Sequence, residues 1–354
     1  MSSSSLIVVD CLTKQFKRAD RSPGVRGALK HLFRPSVSSV TAVDGISFSV
    51  EAGESVAYVG PNGAGKSTTV KLLTGILVPS SGTVSVCGLT PFRDRVTNAK
   101  NISVVFGQRT QLWWDIPVVE SFRLLGDIYE VGAADFQRST AELTEVLELG
   151  DLLSVPARQL SLGQRMRCDL AAALIHSPRV LYLDEPTIGL DVAVKARFRE
   201  FIRYLHRERG LTVVLTSHDL GDIEELCPRM MMIDRGRIIY DGALADLNKR
   251  FGWEKRVVVT LTADVADAHL VARQALGALP VRVEHTTDAS FDIWFDSRVA
   301  KAGEILRNLP ASLPVADVAI EETGTEAIVR RLYEGQLSFA EPSEDPQSSG
   351  GDRG

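Results

Sequence analysis

The sequence has few cysteines, no long apolar run and no excess of positive charge. Its four cysteines, Cys11, Cys87, Cys168 and Cys227, stand far apart, which argues against a disulfide framework or a zinc site and favours reduced thiols. No stretch approaches the ~20 apolar residues of a membrane-spanning helix. The formal net charge of −5 argues against a dedicated nucleic-acid binder. The polar start, Met1–Ser5, lacks the apolar core of a secretory leader.

A phosphate-binding pattern is the most informative feature that is present. Residues 60–67 fit G-x-x-x-x-G-K-[ST] and lie between an apolar stretch, Ser55–Val59, and Thr68–Thr74, whose apolar positions have helical spacing. Glycines let successive N–H groups turn toward phosphate oxygens, and a following helix adds the positive end of its dipole. We therefore predict that Lys66 reaches the β- and γ-phosphates of a nucleotide and that Ser67 holds Mg²⁺. The candidate nucleotide-binding residues here are Gly60, Pro61, Asn62, Gly63, Ala64, Gly65, Lys66, Ser67 and Thr68.

A second apolar run ends in two acids. Val180–Asp184 predicts a strand buried on both faces, and Glu185 follows it directly. Alone, such a pair is often a solvated strand end. Beside a P-loop, Asp184 suits the outer shell of Mg²⁺, and Glu185 is placed to orient or deprotonate the attacking water.

Leu160–Arg165 reads Leu-Ser-Leu-Gly-Gln-Arg, and at this point the chain resembles the nucleotide-binding subunits of ABC transporters. The signature of that family is usually Leu-Ser-Gly-Gly-Gln. Leu162 stands where the first glycine is usual, whereas Ser161, Gly163 and Gln164 keep the pattern.

Further landmarks of the family follow in the expected order over roughly residues 5 to 250. Gln108 in Phe-Gly-Gln matches the Q-loop, Asp191 in Gly-Leu-Asp the D-loop, and His218 in Thr-Ser-His-Asp the switch histidine. Phe16 stands near the aromatic residue that stacks on adenine in the family; a core aromatic is the alternative.

The resemblance implies a mechanism. Two cassettes would close head to tail around two ATP molecules, with Ser161 and Gly163, at the start of a predicted helix Arg165–His176, serving the partner's γ-phosphate. Gln108 would contact Mg²⁺ and the water, and His218 would steady the γ-phosphate and Glu185. The residues that this assigns to ATP outside the P-loop are Phe16, Ser161, Gly163, Gln164 and Asp191.

The predicted fold class is α/β, a P-loop NTPase cassette with a RecA-like core, an antiparallel β subdomain and a helical subdomain, over residues 1–250. The helical subdomain is expected at 109–160.

Residues 255–340 show the element order β-α-β-β-α-β and predict a small α+β, ferredoxin-like accessory domain. Regulation or dimer stabilisation is its expected role, with small-ligand sensing as an alternative. Residues 341–354 are predicted to be a disordered tail.

Two regions carry open alternatives. A basic insertion at 17–39, with a predicted short helix Gly27–Arg34, fits either contact with anionic lipid or a membrane subunit, or a solvated basic loop. Trp113 and Trp114 fit either a groove for a helix of a transport subunit or the interior of the helical subdomain.

The sequence around Gln108, Ser161 and Asp191 resembles that of ABC-2 type cassettes of bacteria and archaea. This resemblance implies export of drugs, other amphipathic compounds, polymers or lipids. The expected function is an ATPase subunit at the cytoplasmic face of the membrane. Its expected partners are separate permease subunits and a second, identical or different cassette, and no nucleic acid. A soluble ABC ATPase serving a cofactor-assembly or nucleic-acid complex is the alternative.

Overall fold

The computed structural model describes residues 5–19, 37–107, 109–217, 219–310, 313–322, 324–335 and 337. Gln108 and His218 lie outside the described residues, as do 20–36 of the basic insertion with its predicted helix, and the predicted tail 341–354. The chain divides into two compact units, Met1–Leu244 and Ala245–Gly354.

A three-stranded antiparallel sheet in the first unit has the order β2-β1-β4. Its strands are β1 (Ser5–Ala19), β2 (Val37–Glu51) and β4 (Ser81–Val86). In β1, Ile7 and Val9 are buried and Val8 between them is exposed, as expected for a strand with one face on the core. Because β1 and β2 remain paired as far as residues 19 and 37, the ends of the predicted insertion, 17–19 and 37–39, belong to strands.

The second sheet of this unit has six strands in the order β5-β6-β7-β3-β8-β9. Strands β3 and β5 to β8 run parallel, and β9 is antiparallel to β8. Strands β3 and β7 are buried along their whole length, as expected where both faces of a parallel sheet are covered. The bounds are β3 (Ser55–Val59), β5 (Ile102–Phe106), β6 (Val180–Asp184), β7 (Thr212–Thr216), β8 (Arg229–Asp234) and β9 (Arg237–Ala243). The strands predicted before the P-loop and before Glu185 are confirmed.

Helices connect the strands of this unit. They are α1 (Lys66–Leu73), α2 (Arg95–Asn101), α3 (Val118–Ile128), α4 (Ala133–Val146), α5 (Leu162–Leu174), α6 (Val192–Arg209) and α7 (Leu220–Leu226). Helix α8 (Leu244–Phe251) follows. Within the described residues, no helix has the length and apolar character needed to span a membrane.

The second unit contains a four-stranded antiparallel sheet in the order β11-β12-β10-β13. Its elements are β10 (Glu254–Leu261), α9 (Ala268–Ala275), β11 (Val281–Thr287), β12 (Ser290–Asp296), α10 (Ala302–Asn308), β13 (Val315–Glu322) and α11 (Thr325–Tyr333). The first strand therefore pairs with the third and the fourth, which is the ferredoxin-like arrangement predicted from the element order. Alternate residues of β10 and β12, such as Val257, Val259 and Ile293, form its core.

Candidate functional site

The P-loop joins the end of β3 to the start of α1. Gly63 and Gly65 have φ values of 84° and 116°, which residues with a Cβ atom rarely adopt. A Cβ atom at Gly65 would also lie 2.5 Å from the carbonyl oxygen of Ala42 on β2. The motif therefore needs glycine at Gly65 for two reasons, one conformational and one steric.

Lys66 points back into the loop. Its Nζ donates to the carbonyl oxygen of Gly60, and the carbonyl oxygen of Pro61 lies 3.4 Å away. The side chain is 7% exposed, and burial lowers the pKa of Lys66 while the Glu185 and Asp184 carboxylates oppose that shift. A buried ammonium held by carbonyl oxygens suits exchange of those oxygens for the more strongly accepting oxygens of a phosphate.

Asp184, at the end of β6, faces the first turn of α1. One of its carboxylate oxygens accepts from the Thr216 hydroxyl at 2.6 Å, and the other accepts from the Ser67 hydroxyl at 3.4 Å. Ligands at ~2.1 Å from one octahedral Mg²⁺ lie ~3 to 4 Å apart, so the Ser67 and Asp184 oxygens fit one such ion. Mg²⁺ commonly takes one or two protein oxygens and completes its shell with water and phosphate.

Glu185 turns sharply away from the end of β6. Its φ is 53°, in the left-handed region, and its N–H donates to the carbonyl oxygen of Thr216 at 3.0 Å. Gly107 packs against this turn, because its N–H donates to the Asp184 carbonyl oxygen at 3.0 Å. A Cβ atom at Gly107 would lie 1.8 Å from the Glu185 carbonyl oxygen, so the residue before Gln108 has to be glycine.

The signature segment forms the start of α5. The Ser161 hydroxyl accepts from the Gln164 N–H at 3.2 Å, and the Gln164 side-chain oxygen accepts from the Ser161 N–H at 2.9 Å. This reciprocal capping box starts the helix at Leu162, so the predicted start at Arg165 was wrong. Ser161 and Gly163 thus lie at a helix N-terminus, where backbone N–H groups and the helix dipole favour anions.

Leu162, the departure from the family pattern, lies beside the D-loop segment. A Cβ atom at Gly189 would lie 3.1 Å from the Leu162 Cδ2 atom. Asp191 in turn caps α6, since its side chain accepts from the Val194 N–H at 2.9 Å. A cavity of about 690 Å³ opens between these segments, lined in part by Ser161, Gly163, Gly189 and Asp191.

Acidic residues that sequence reasoning missed tie α6 to α7. Asp222 is fully buried; it accepts from the Arg199 Nε at 2.6 Å and from the hydroxyl of Thr187, two residues after Glu185. Asp219, next to His218 in the sequence, accepts from the Lys195 ammonium, which lowers the pKa of that carboxyl. The segments that follow Glu185 and His218 are therefore held by one network of charged side chains.

Phe16 lies on the strand pair next to the P-loop. It pairs with Val40 of β2, and Ala42, two residues on, is the residue whose carbonyl oxygen approaches Gly65. Phe16 is 40% exposed, and the Lys14 ammonium lies 5.3 Å from its ring centroid. Its exposure argues against the core alternative.

Trp113 and Trp114 are also exposed, at 40% and 49%. The Trp113 N–H donates to the Ser121 hydroxyl of α3 at 3.1 Å, and the Arg165 guanidinium lies 5.6 Å from the Trp114 ring centroid. Neither tryptophan therefore packs inside the first unit, which removes the interior alternative.

Comparison with known proteins agrees with this arrangement. Residues 43–188 match the family model described as ABC transporter. The linearmycin resistance ATP-binding protein LnrL of Bacillus subtilis (strain 168) is 32% identical over 253 residues, which cover 72% of this chain and 80% of the relative. Nod factor export ATP-binding protein I of Paraburkholderia xenovorans (strain LB400) is 33% identical over 302 residues, 83% of this chain and 95% of the relative.

Solved structures give the same fold. An ATP-binding subunit of an ABC transporter superposes with a TM-score of 0.58 at 24% identity, covering 70% of this chain and 93% of that chain. An ATP-binding cassette in a dimeric post-hydrolysis state with ADP and Pi gives a TM-score of 0.56 at 22% identity, covering 67% and 98%. The predicted cassette fold is confirmed. The chain belongs to the ABC transporter ATP-binding proteins and is an ATP-hydrolysing subunit that drives such a transporter.

Proposed function

We propose that this chain binds Mg-ATP at the P-loop and powers an exporter whose membrane-spanning permease is a separate chain. The observation that carries the nucleotide site is the convergence of Lys66, Ser67, Asp184 and Glu185 at the carboxyl ends of β3 and β6. Open α/β sheets bind ligands at this edge. The chain would then lie at the cytoplasmic face of the membrane, attached through its permease.

The roles proposed for Lys66, Ser67, Asp184 and Glu185 are supported by their positions, and those of Gln108 and His218 are proposed from the resemblance of their sequence motifs to the family. Lys66 would compensate charge on the β- and γ-phosphates, while Ser67, Asp184 and Gln108 would hold Mg²⁺, which neutralises charge that develops on the phosphates. Glu185 would orient and deprotonate the attacking water, and His218 would steady the γ-phosphate. Phe16 would stack on the adenine.

A second cassette would complete the site. Ser161, Gly163 and Gln164 would meet the γ-phosphate held by the P-loop of the partner, with Asp191 nearby. The N-terminal position of Ser161 on α5 supports this role, because a helix N-terminus attracts anions. Closure of the dimer would follow ATP binding, and hydrolysis would reopen it.

Export is supported by the names of the relatives. One relative is named as a linearmycin resistance protein, and its name describes protection from a compound. The other is named as a Nod factor export protein, and its name describes movement of a compound out of the cell. We infer that this chain also powers export.

The nucleotide part of the proposal is tested by Lys66→Ala. We expect hydrolysis by the purified chain to be abolished and ATP binding to be weakened by ~10²-fold, because a charge-assisted contact to the phosphates is lost. Lys71→Ala is the matched control, since it removes an exposed lysine from the same helix. Ordinary turnover by Lys66→Ala would show that the P-loop is not the hydrolytic site.

The transport part is tested by recovering tagged chain from detergent-solubilised membranes. We expect a multi-span membrane protein to co-purify with it. Recovery only from the soluble fraction, together with a cofactor-assembly or nucleic-acid complex, would support the soluble ATPase instead.

A further inference from the structure

The segment that follows Gln108 is fastened to the signature helix by a buried carboxylate. Asp169, on α5, is 4% exposed. One of its oxygens accepts from the Thr110 hydroxyl at 2.9 Å and from the Gln111 N–H at 2.8 Å. The Thr110 hydroxyl also accepts from the Leu112 N–H at 3.1 Å. Three consecutive residues are therefore held, directly or through Thr110, by one side chain of α5.

Gly107, the residue before Gln108, is held by contacts with the end of β6 and not by α5. Gly107 is hydrogen-bonded to Asp184 and packs against the carbonyl oxygen of Glu185, so it is fixed to the catalytic end of β6. Gln108 and Arg109 therefore lie in the sequence between two attachments, one to β6 and one to α5. The segment also contacts β5, because the Arg109 N–H donates to the Phe106 carbonyl oxygen at 3.1 Å and the Gln111 side-chain nitrogen donates to the Val104 carbonyl oxygen at 3.1 Å. A displacement of α5 relative to β5 and β6 therefore has to strain or break contacts made by Arg109 and Gln111.

Burying a carboxylate costs free energy, so packing alone would favour an apolar side chain at position 169. Burial raises the pKa of Asp169 to about 6, against the effect of its hydrogen bonds and of the Arg165 guanidinium one turn earlier on α5. An ionised acceptor forms stronger hydrogen bonds to N–H and O–H donors than a neutral one does. The buried charge thus secures the segment more firmly than an apolar contact would.

We propose that Asp169 is a positioning residue: through its hydrogen bonds, the segment after Gln108 moves together with α5. When Ser161, at the start of α5, moves toward a nucleotide, Asp169 transmits that displacement to Gln108 on one side and to Trp113 and Trp114 on the other. The inference rests on the proposed function, because it uses the roles proposed there for Ser161 and Gln108.

Hydrogen exchange of the full-length chain tests the attachment directly. In Asp169→Ala the Gln111 and Leu112 amides should lose protection by about tenfold or more, because their acceptors are lost or released. Asp169→Asn retains an acceptor oxygen and should retain most of the protection. Ser121→Ala is the matched control, since it frees the Trp113 amide on the α3 side and should leave Gln111 unchanged.

Kinetics separate positioning from a loss of folding. For Asp169→Ala we expect kcat for ATP hydrolysis to fall about tenfold with KM changed less than about twofold, since Lys66 and Ser67 still bind the nucleotide. Asp169→Asn should restore kcat to within about threefold of the parent, because its amide oxygen still accepts. A purely structural role would instead lower the melting temperature and raise KM together in both variants.

Thr110→Val provides a second test if Asp169→Ala does not fold. It removes the hydroxyl that links Asp169 to Leu112, so exchange and kcat should change in the same direction by a smaller factor. Unchanged kcat and unchanged exchange in Thr110→Val, and in Asp169→Ala where it folds, would overturn the inference. Absence of ATP hydrolysis by the parent chain would overturn the proposed function as well, so the two failures are distinguishable.

Discussion

At the scale of single residues, Glu185 combines an unusual backbone with a demanding position. Its φ of 53° turns the chain directly after β6, and Gly107 approaches its carbonyl oxygen so closely that no side chain fits there. Non-glycine residues in the left-handed region often mark functional sites, because the surrounding structure has to stabilise them. The backbone therefore supports the role proposed for this carboxylate.

The first prediction concerns Glu185→Gln. We expect Mg-ATP binding to persist, because Lys66, Ser67 and Asp184 are unchanged, and the chemical step to slow by ~10²-fold or more, because an amide is a far poorer base. The variant should accumulate as an ATP-dependent dimer, visible by size-exclusion chromatography with and without Mg-ATP.

Glu224→Gln, on α7, is a suitable control for the loss of one negative charge. Hydrolysis by Glu185→Gln at the parent rate would remove Glu185 from the mechanism. A monomer in saturating Mg-ATP would show that closure needs the permease.

The second prediction concerns the pH dependence of stability through Asp169. Its pKa is raised from 3.8 to about 6, so the folded state binds the proton more tightly than the unfolded state. The free energy of unfolding contributed at Asp169 therefore falls by at most ~3 kcal/mol as pH rises from about 4 to 6. An ordinary carboxylate in an ion pair shows the opposite trend, because its pKa is lowered in the folded state. Asp169→Asn should gain stability over the parent between pH 5 and pH 8, measured as the difference in urea midpoints. Parallel curves over that range would mean that Asp169 titrates below pH 5.

At the scale of elements, periodicity and motif context predicted most of the framework. The strand before the P-loop, the strand before Glu185 and the β-α-β-β-α-β order of the second unit follow from local patterns that depend on neighbouring residues. Helix α5 starts three residues before the predicted Arg165, because the capping box Ser161–Gln164 sets its first turn; both residues of that box are visible in the sequence.

Contacts between distant residues could not be predicted in the same way. Asp169 and Gln111 are 58 residues apart, and Asp222 and Thr187 are 35 apart, so no local pattern relates them. The sequence does offer one hint, since Asp169 is a single acid in an otherwise apolar stretch of α5 that ends at Leu174. Such an acid has to find donors when the helix packs.

The third prediction concerns the loop between β5 and α3. Trp113 and Trp114 are both substantially exposed, and large aromatic side chains on a surface favour an interface. Changing both to Ala should reduce co-purification with the permease by ~10-fold or more, as expected when central aromatic contacts are lost. ATP binding should be unchanged, because neither side chain belongs to the P-loop.

Val96→Ala removes another exposed apolar side chain, 74% exposed on α2, and is the matched control. Undiminished recovery of the permease with the double variant would place the docking surface elsewhere.

At the scale of the whole molecule, the predicted nucleotide and signature residues lie in one unit. All the described contacts of Lys66, Ser67, Asp184 and Ser161 fall within Met1–Leu244. The ferredoxin-like sheet belongs to Ala245–Gly354 and has a core of its own. We propose that the second unit regulates or stabilises the cassette dimer and leaves the chemistry to the first.

The last prediction removes the second unit. Removal from Lys255 onward would keep α8, but its Leu247 and Phe251 are buried in the intact chain, and its Asn248 accepts from the Thr325 hydroxyl of α11. Ending the chain at Leu244 avoids exposing these apolar side chains. The shortened chain should bind ATP within ~3-fold of the parent, because a unit with its own core folds without its neighbour.

Self-association in Mg-ATP, measured by analytical ultracentrifugation, should change when the second unit is absent, because that unit is where we place dimer stabilisation. Lys66→Ala in the shortened chain is the control for nucleotide dependence. If a folded shortened chain failed to bind ATP, the second unit would have to complete the nucleotide site. If binding and self-association both matched the parent, its role would lie outside the ATPase cycle, and a bound regulatory ligand would be the next property to test.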